Sequence, residues 1–98
     1  MKVFITRTAK KGLQNIHDYH CEYSEEYADQ FFLDITQFII SNLSELPEMG
    51  HVYNERRKLY RVIYKQFNIY YAVRKAGVYV LYVIDGKLAF NTDLKDVE

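Results

Sequence analysis

The stretch KLYRVIYKQFNIYYAVRKAGVYVLYVID, from Lys58 to Asp85, decides the fold. Within it Phe67, Ile69, Tyr71 and Val73 alternate with Asn68, Tyr70, Ala72 and Arg74. Alternation is the period of a half-buried strand, so the first set predicts a core face and the second an open face. Lys75-Ala76-Gly77 is a short turn whose glycine can take positive φ, and Val78 to Ile84 follows as a largely apolar strand. Leu59 to Tyr64 precedes these runs, and Lys65-Gln66 leaves room only for a tight reversal. The segment therefore reads as a three-stranded antiparallel meander.

Upstream the period changes. KVFITR, Lys2 to Arg7, has the β-branched and aromatic content of a short strand, and Thr8 can then cap a helix. Ala9, Leu13, Ile16, His20 and Tyr23 recur at spacings of three and four, which places them on one helical face. Ser24 followed by Glu25 and Glu26 signals a second start: the hydroxyl satisfies a free amide and the carboxylates complement the helix dipole. Ala28, Phe31, Phe32, Ile35, Phe38, Ile39, Leu43 and Leu46 then keep helical period until Pro47 stops it. Two helices joined by so short a connection predict an antiparallel hairpin. The loop PEMGH, Pro47 to His51, leads into the meander, and the pattern is weakest in the tail LAFNTDLKDVE after Gly86-Lys87. The chain reads as a single α+β domain spanning residues 1–98, and Phe31, Ile35, Phe38 and Ile39 are expected to pack on the face bearing Ile69, Tyr71 and Val73.

Composition narrows the function classes. The 98 residues suffice to bury a core without a disulfide or a structural metal. Cys21 is the only cysteine, which suits a reducing compartment and points to the cytoplasm. MKVFITRTAKKG lacks an apolar core of signal-peptide length, and no run approaches the ~20 apolar residues of a membrane span. Lys and Arg number 13, and Asp and Glu 13, so strong binding to free nucleic acid is not expected, and any such contact must rest on a local patch. The 10 Tyr and 6 Phe with no Trp fit strands that bury rings and keep hydroxyls wet.

A few motifs carry chemistry. HDYHC, His17 to Cys21, places His17 and Cys21 on one helical face, yet only His51 remains elsewhere as a nitrogen ligand, so no metal site is expected. Glu55-Arg56-Arg57-Lys58 is suited either to a phosphate or to an acidic protein segment, and equally to a solvated loop. Asn68, Tyr70 and Arg74 share the expected open face, where they could bind a target or simply solvate the sheet. Glycine-rich phosphate loops, paired catalytic carboxylates and nucleophile motifs are absent, and no cofactor is implied.

The order of strand, helix hairpin and meander resembles the RelE/ParE toxin superfamily of bacterial type II toxin–antitoxin systems. The resemblance covers roughly Val3 to Asp85 and is most specific over ITRTAKKGLQNIHDYHCEYSEEYADQFFLDITQFIISNLSELPEMG. It implies a small cytoplasmic toxin that a cognate antitoxin neutralises. In members that cleave mRNA on the ribosome, an arginine in a YRVIY-like run lies on the strand before the last hairpin. Here that strand is FNIYY, Phe67 to Tyr71, so Asn68 takes the arginine position and Arg61, in YRVIY, reads as a lookalike. Those nucleases also carry late basic residues and a late His or Tyr, whereas this chain has VIDGKLAFNTD with Lys87 as its base. The resemblance thus favours the ParE-like branch, which is associated with inhibition of DNA gyrase by binding. The alternatives are a ribosome-dependent endoribonuclease, with Arg61, Arg74 or Lys87 as its catalytic candidates, and an attenuated member that only binds antitoxin. Arg56, Arg57, Asn68, Tyr70 and Arg74 are the expected target or partner contacts, and a homodimer is left open.

Overall fold

Residues 1–87 are described by the computed structural model; the tail from 88 onward lies outside them. Strand β1 (Val3–Ile5) opens the chain and leaves the sheet at Thr6. The Thr6 hydroxyl donates to the Val80 carbonyl at 2.7 Å and accepts from the Ala9 amide at 3.3 Å. Thr6, rather than the expected Thr8, therefore caps helix α1 (Arg7–Cys21). The reason is tertiary: pairing of β1 with the far end of the chain fixes where the backbone turns, and Thr8 already lies in the first helical turn.

Helix α2 (Glu25–Glu45) begins as the sequence predicts. Ser24 accepts from the Tyr27 amide at 3.2 Å, Glu25 and Glu26 fill the first turn, and the helix ends before Pro47. Four more strands follow: β2 (His51–Asn54), β3 (Leu59–Tyr64), β4 (Phe67–Val73) and β5 (Val78–Asp85). The sheet order is β1-β5-β4-β3-β2, with β1 parallel to β5 and every other pair antiparallel. The predicted meander is the β3-β4-β5 portion of this five-stranded sheet. Strand β2 escaped the sequence reading because HVYN is short and mostly exposed at the sheet edge, so its residues show no alternation.

Both helices lie over one face of the sheet. Ile35, Ile39, Leu43, Ile69, Tyr71, Val78 and Val80 are fully buried between them, while Phe31 retains 4% exposure. Phe38 is only half-buried, against the Tyr64 ring at 4.8 Å, and Tyr23 and Leu46 are exposed. Both of the latter sit beyond the helix ends, where helical spacing no longer fixes a face. The Tyr71 hydroxyl accepts from the Gly50 amide at 3.0 Å, fastening the loop that precedes β2 to the centre of the sheet.

Gly12 sets the height of α1 above β5. A Cβ at this position would lie 2.5 Å from the Val83 carbonyl oxygen, a backbone atom that cannot swing aside. Gly12→Ala should therefore destabilise the fold by about 1–3 kcal/mol through overpacking, although alanine favours helix by about 1 kcal/mol. Urea unfolding reads the difference, and an unchanged or raised midpoint would refute the close-approach account.

The second face of the sheet is not open as the alternation implied. Tyr70 is 2% and Asn68 8% exposed, and Ala72 is fully buried. Tyr70 pairs with Tyr82 while Tyr71 pairs with Val80, so β5 bulges at Leu81. Leu81 joins Leu59 and Ala72 in a small cluster flanked by Tyr79 and Tyr82, and Tyr70 packs against Tyr82 and Ile84. A central strand in a five-stranded sheet is hemmed in by neighbouring rings on this side as well. Period two identifies the two faces, but it cannot say that one is wet.

Candidate functional site

In an antiparallel meander alternate turns fall at the same end. The β2–β3 turn and the β4–β5 turn are therefore neighbours, because Leu59 pairs with Ala72 and the two turns extend from adjoining strands. Arg56, Arg57 and Lys58 come from the first turn, Val73, Arg74 and Lys75 from the end of β4 and the second. Together they line an open groove of about 590 Å³.

Local geometry explains why the turns hold these positions. The Asn54 side chain accepts from the Arg57 amide at 3.0 Å, an Asx-type turn, and Lys58 takes φ 53° as the chain re-enters the sheet. The Arg74 guanidinium donates to the Arg57 carbonyl at 2.8 Å and to its neighbour Val73 at 3.3 Å, stitching one turn to the other. Arg57 and Arg74 are half-buried, whereas Arg56, Lys58 and Lys75 are exposed. Among the described residues those three exposed cations make no ion pair. The nearest acid in sequence, Glu55, opens the first turn but does not line the groove.

Arg56, Arg57 and Arg74 are thus brought together, while Asn68 and Tyr70 sit elsewhere. The Asn68 amide donates to the Tyr70 hydroxyl at 3.2 Å within the buried second face. Lys75 joins the groove although the sequence offered it only as a turn residue. Its signal was register: two basic turns at one end of a meander become one surface. Lys87 lies at the opposite end, just beyond β5, where its amide is held by the Asp85 carboxylate at 2.9 Å.

Arg61 has company that the sequence did not reveal. His51 pairs with Arg61, Arg61 with Tyr70, and Tyr70 with Tyr82, so four side chains form one cross-strand row on the second face. Strand order sets Arg61 apart from Tyr70; cross-strand register pairs them. The row combines a cation, an imidazole and two phenols. Among the described residues Arg61 Nε is buried without a hydrogen-bond partner, and the Tyr70 hydroxyl accepts from the Asn68 amide.

HDYHC forms a different arrangement. His17 Nε2 lies 2.7 Å from an Asp29 carboxylate oxygen and Cys21 Sγ lies 3.6 Å from His17 Nδ1. Among the described residues no group of three or more His, Cys, Asp or Glu is placed to hold a metal ion. Hydrogen bonding to Asp29 raises the His17 pKa above 6.5 against some desolvation, with Asp18 helping. Burial and the carboxylates of Glu25, Asp29 and Asp18 push the Cys21 thiol up, away from a reactive thiolate. His20, by contrast, is buried among the rings of Phe31, Tyr27, Tyr19 and Phe67.

A raised folded-state pKa means the His17 contribution to stability is present below the unfolded value and fades as pH rises through the folded one. Because the partner Asp29 is exposed, the effect is small. Asp29→Asn should return the His17 pKa towards its ordinary value, measured by NMR titration of the imidazole protons. An unmoved titration would show that Asp29 is not the cause.

A helix hairpin thus lies over one face of a mixed five-stranded sheet, with a cationic groove at one end of that sheet. The model of the family described as ParE toxin of type II toxin-antitoxin system, parDE, matches residues 3–90. The chain belongs to that family. A solved structure described as the chromosomal ParDE TA system from P. aeruginosa is similar in fold, with a TM-score of 0.75 at 19% identity, covering 87% of this chain and 95% of that one. No curated protein matches the sequence. The α+β architecture, the toxin class and the type II system expected from the sequence agree with these findings. No helix among the described residues is long and apolar enough to cross a membrane.

Proposed function

We propose that this toxin acts in the cytoplasm by binding a cellular target, DNA gyrase, and that a cognate antitoxin neutralises it by covering the toxin surface. The observation that carries this reading is the groove lined by Arg56, Arg57, Lys58, Arg74 and Lys75, a built cationic surface held by hydrogen bonds between two turns. Membership of the ParE family supports the gyrase target over the ribosome. The edge strand β2, with Val52 exposed, offers main-chain pairing and an apolar anchor to an extended antitoxin segment. Growth arrest on expression, relieved by co-expressing the antitoxin frame, with the two proteins co-purifying, tests the assignment. Expression without arrest, or an antitoxin that neither rescues nor co-purifies, would refute it.

A second reading, ribosome-dependent mRNA cleavage, draws on the row His51, Arg61, Tyr70 and Tyr82, which holds residue types able to stabilise and protonate a reacting phosphate. It is the weaker of the two, because Tyr70 is buried. Under the binding reading Arg61→Ala leaves toxicity nearly unchanged. Were Arg61 catalytic, the same variant would lose on the order of 10²-fold in cleavage with its fold intact.

A further inference from the structure

The ligand chemistry of the basic groove can be specified further, an inference that rests on the binding reading above. We infer that the groove takes a phosphodiester backbone, so that the toxin touches nucleic acid at its target and not protein alone. The sequence left Arg56–Lys58 open to a phosphate or to an acidic peptide. Two features of the folded groove separate these.

The first is its lining. Protein partners are anchored by buried aromatic and apolar side chains, and charged residues are depleted at the core of such interfaces. Val73 is the one apolar side chain in this groove, against five cations, and no acid lines it among the described residues. Among the described lining residues, Val73 is the one apolar side chain a peptide anchor would meet. A phosphodiester strand needs no apolar anchor, since its affinity comes from neutralised phosphates and released counterions.

The second is the division of labour within the cluster. Arg57 and Arg74 are half-buried, and Arg74 braces the two turns, so they form a fixed wall. Arg56, Lys58 and Lys75 reach outward from two adjacent turns without an ion pair among the described residues. Cations on separate turns can meet successive phosphates, whereas a single carboxylate would leave most of them unmatched. The chain's net charge of zero keeps this attraction local and weak.

Three phosphate contacts give an affinity for duplex DNA whose logarithm falls by about 2.7 per decade of salt, a loss of about 40-fold between 50 and 200 mM. Fluorescence anisotropy with the purified chain tests this, using labelled duplex DNA, single-stranded DNA and RNA of about 20 nucleotides, and a polyglutamate peptide of similar charge. The expected result is weak binding to nucleic acid with that salt slope, reduced about tenfold or more in Arg56→Ser with Lys75→Ser, and retained in Arg56→Lys with Lys75→Arg. The duplex and single-strand arms tell which form carries the phosphates. Binding to polyglutamate as tight as to any nucleic acid, or a flat salt dependence in the wild type, would overturn the inference. So would a folded Ser variant that binds undiminished; the wild-type salt slope stands as an independent readout should that variant unfold. Gyrase inhibition that persists in the folded Ser variant would sink the phosphate contact at the target, whereas gyrase left uninhibited by the wild type would sink the binding reading itself.

Discussion

Phe31→Ala is expected to remove about 3–5 kcal/mol of stability, a large part of the total for a domain of this size. Phe31 is 4% exposed, and its ring meets His20 at 4.7 Å, Phe67 at 5.5 Å and Tyr64 at 5.9 Å, with the Lys65 ammonium 5.3 Å away. It is the point at which α2, α1 and the β3–β4 turn converge, so its loss leaves a cavity that three elements would have to close. At this chain length the melting temperature should fall by more than about 12 °C. Phe38→Ala should cost less than half as much, because Phe38 is partly exposed and its ring contact is with Tyr64. Thermal and urea unfolding of the two variants side by side check the ranking. Equal losses would mean that the two phenylalanines are equivalent, as helical spacing alone suggests.

Arg56→Glu with Lys75→Glu carries the largest functional effect. Both side chains are exposed, so the fold should survive. Reversing two charges turns attraction into repulsion at a groove built of cations, and target engagement should weaken on the order of 10²-fold. Growth arrest should then require far higher expression. Retained toxicity at wild-type levels, with the protein folded, would remove the groove from the account.

Much of the fold was legible because single elements obey single periods. Ser24, the first-turn acids and Pro47 bound α2 without help from the rest of the chain. Ala9, Leu13, Ile16 and His20 are buried as their spacing requires. Thr6, by contrast, became the cap of α1 through a bond to Val80, 74 residues away, which no local rule can supply. Strand β2 is illegible in the sequence for a related reason. An edge strand of four residues owes its existence to its partner β3 rather than to its own pattern.

The candidate site divides along the same line. Arg56 and Arg57 stand out as a charge run, and Arg74 as a cation at a strand end, so each was readable alone. That they form one groove with Lys75 depends on which turns share an end of the sheet, a property of topology. Asn68 and Tyr70 show the converse. Alternation placed them correctly on one face, but their burial comes from the rings of neighbouring strands and from the bulge at Leu81. Arg61 was set apart by strand order, and pairing with His51 and Tyr70 returned it to a chemically suggestive row. Local sequence therefore identifies side chains, while register decides which of them can act together.

The central claim is that this ParE-family chain acts by engaging its target rather than by cutting RNA. The direct measurement is a parallel assay of the purified protein, wild type beside Arg61→Ala, on gyrase-catalysed DNA supercoiling and on ribosome-bound mRNA. The account predicts that wild type and Arg61→Ala inhibit supercoiling alike and that the mRNA remains intact. Cleavage of the mRNA by the wild type, abolished in Arg61→Ala, with supercoiling untouched, would contradict it.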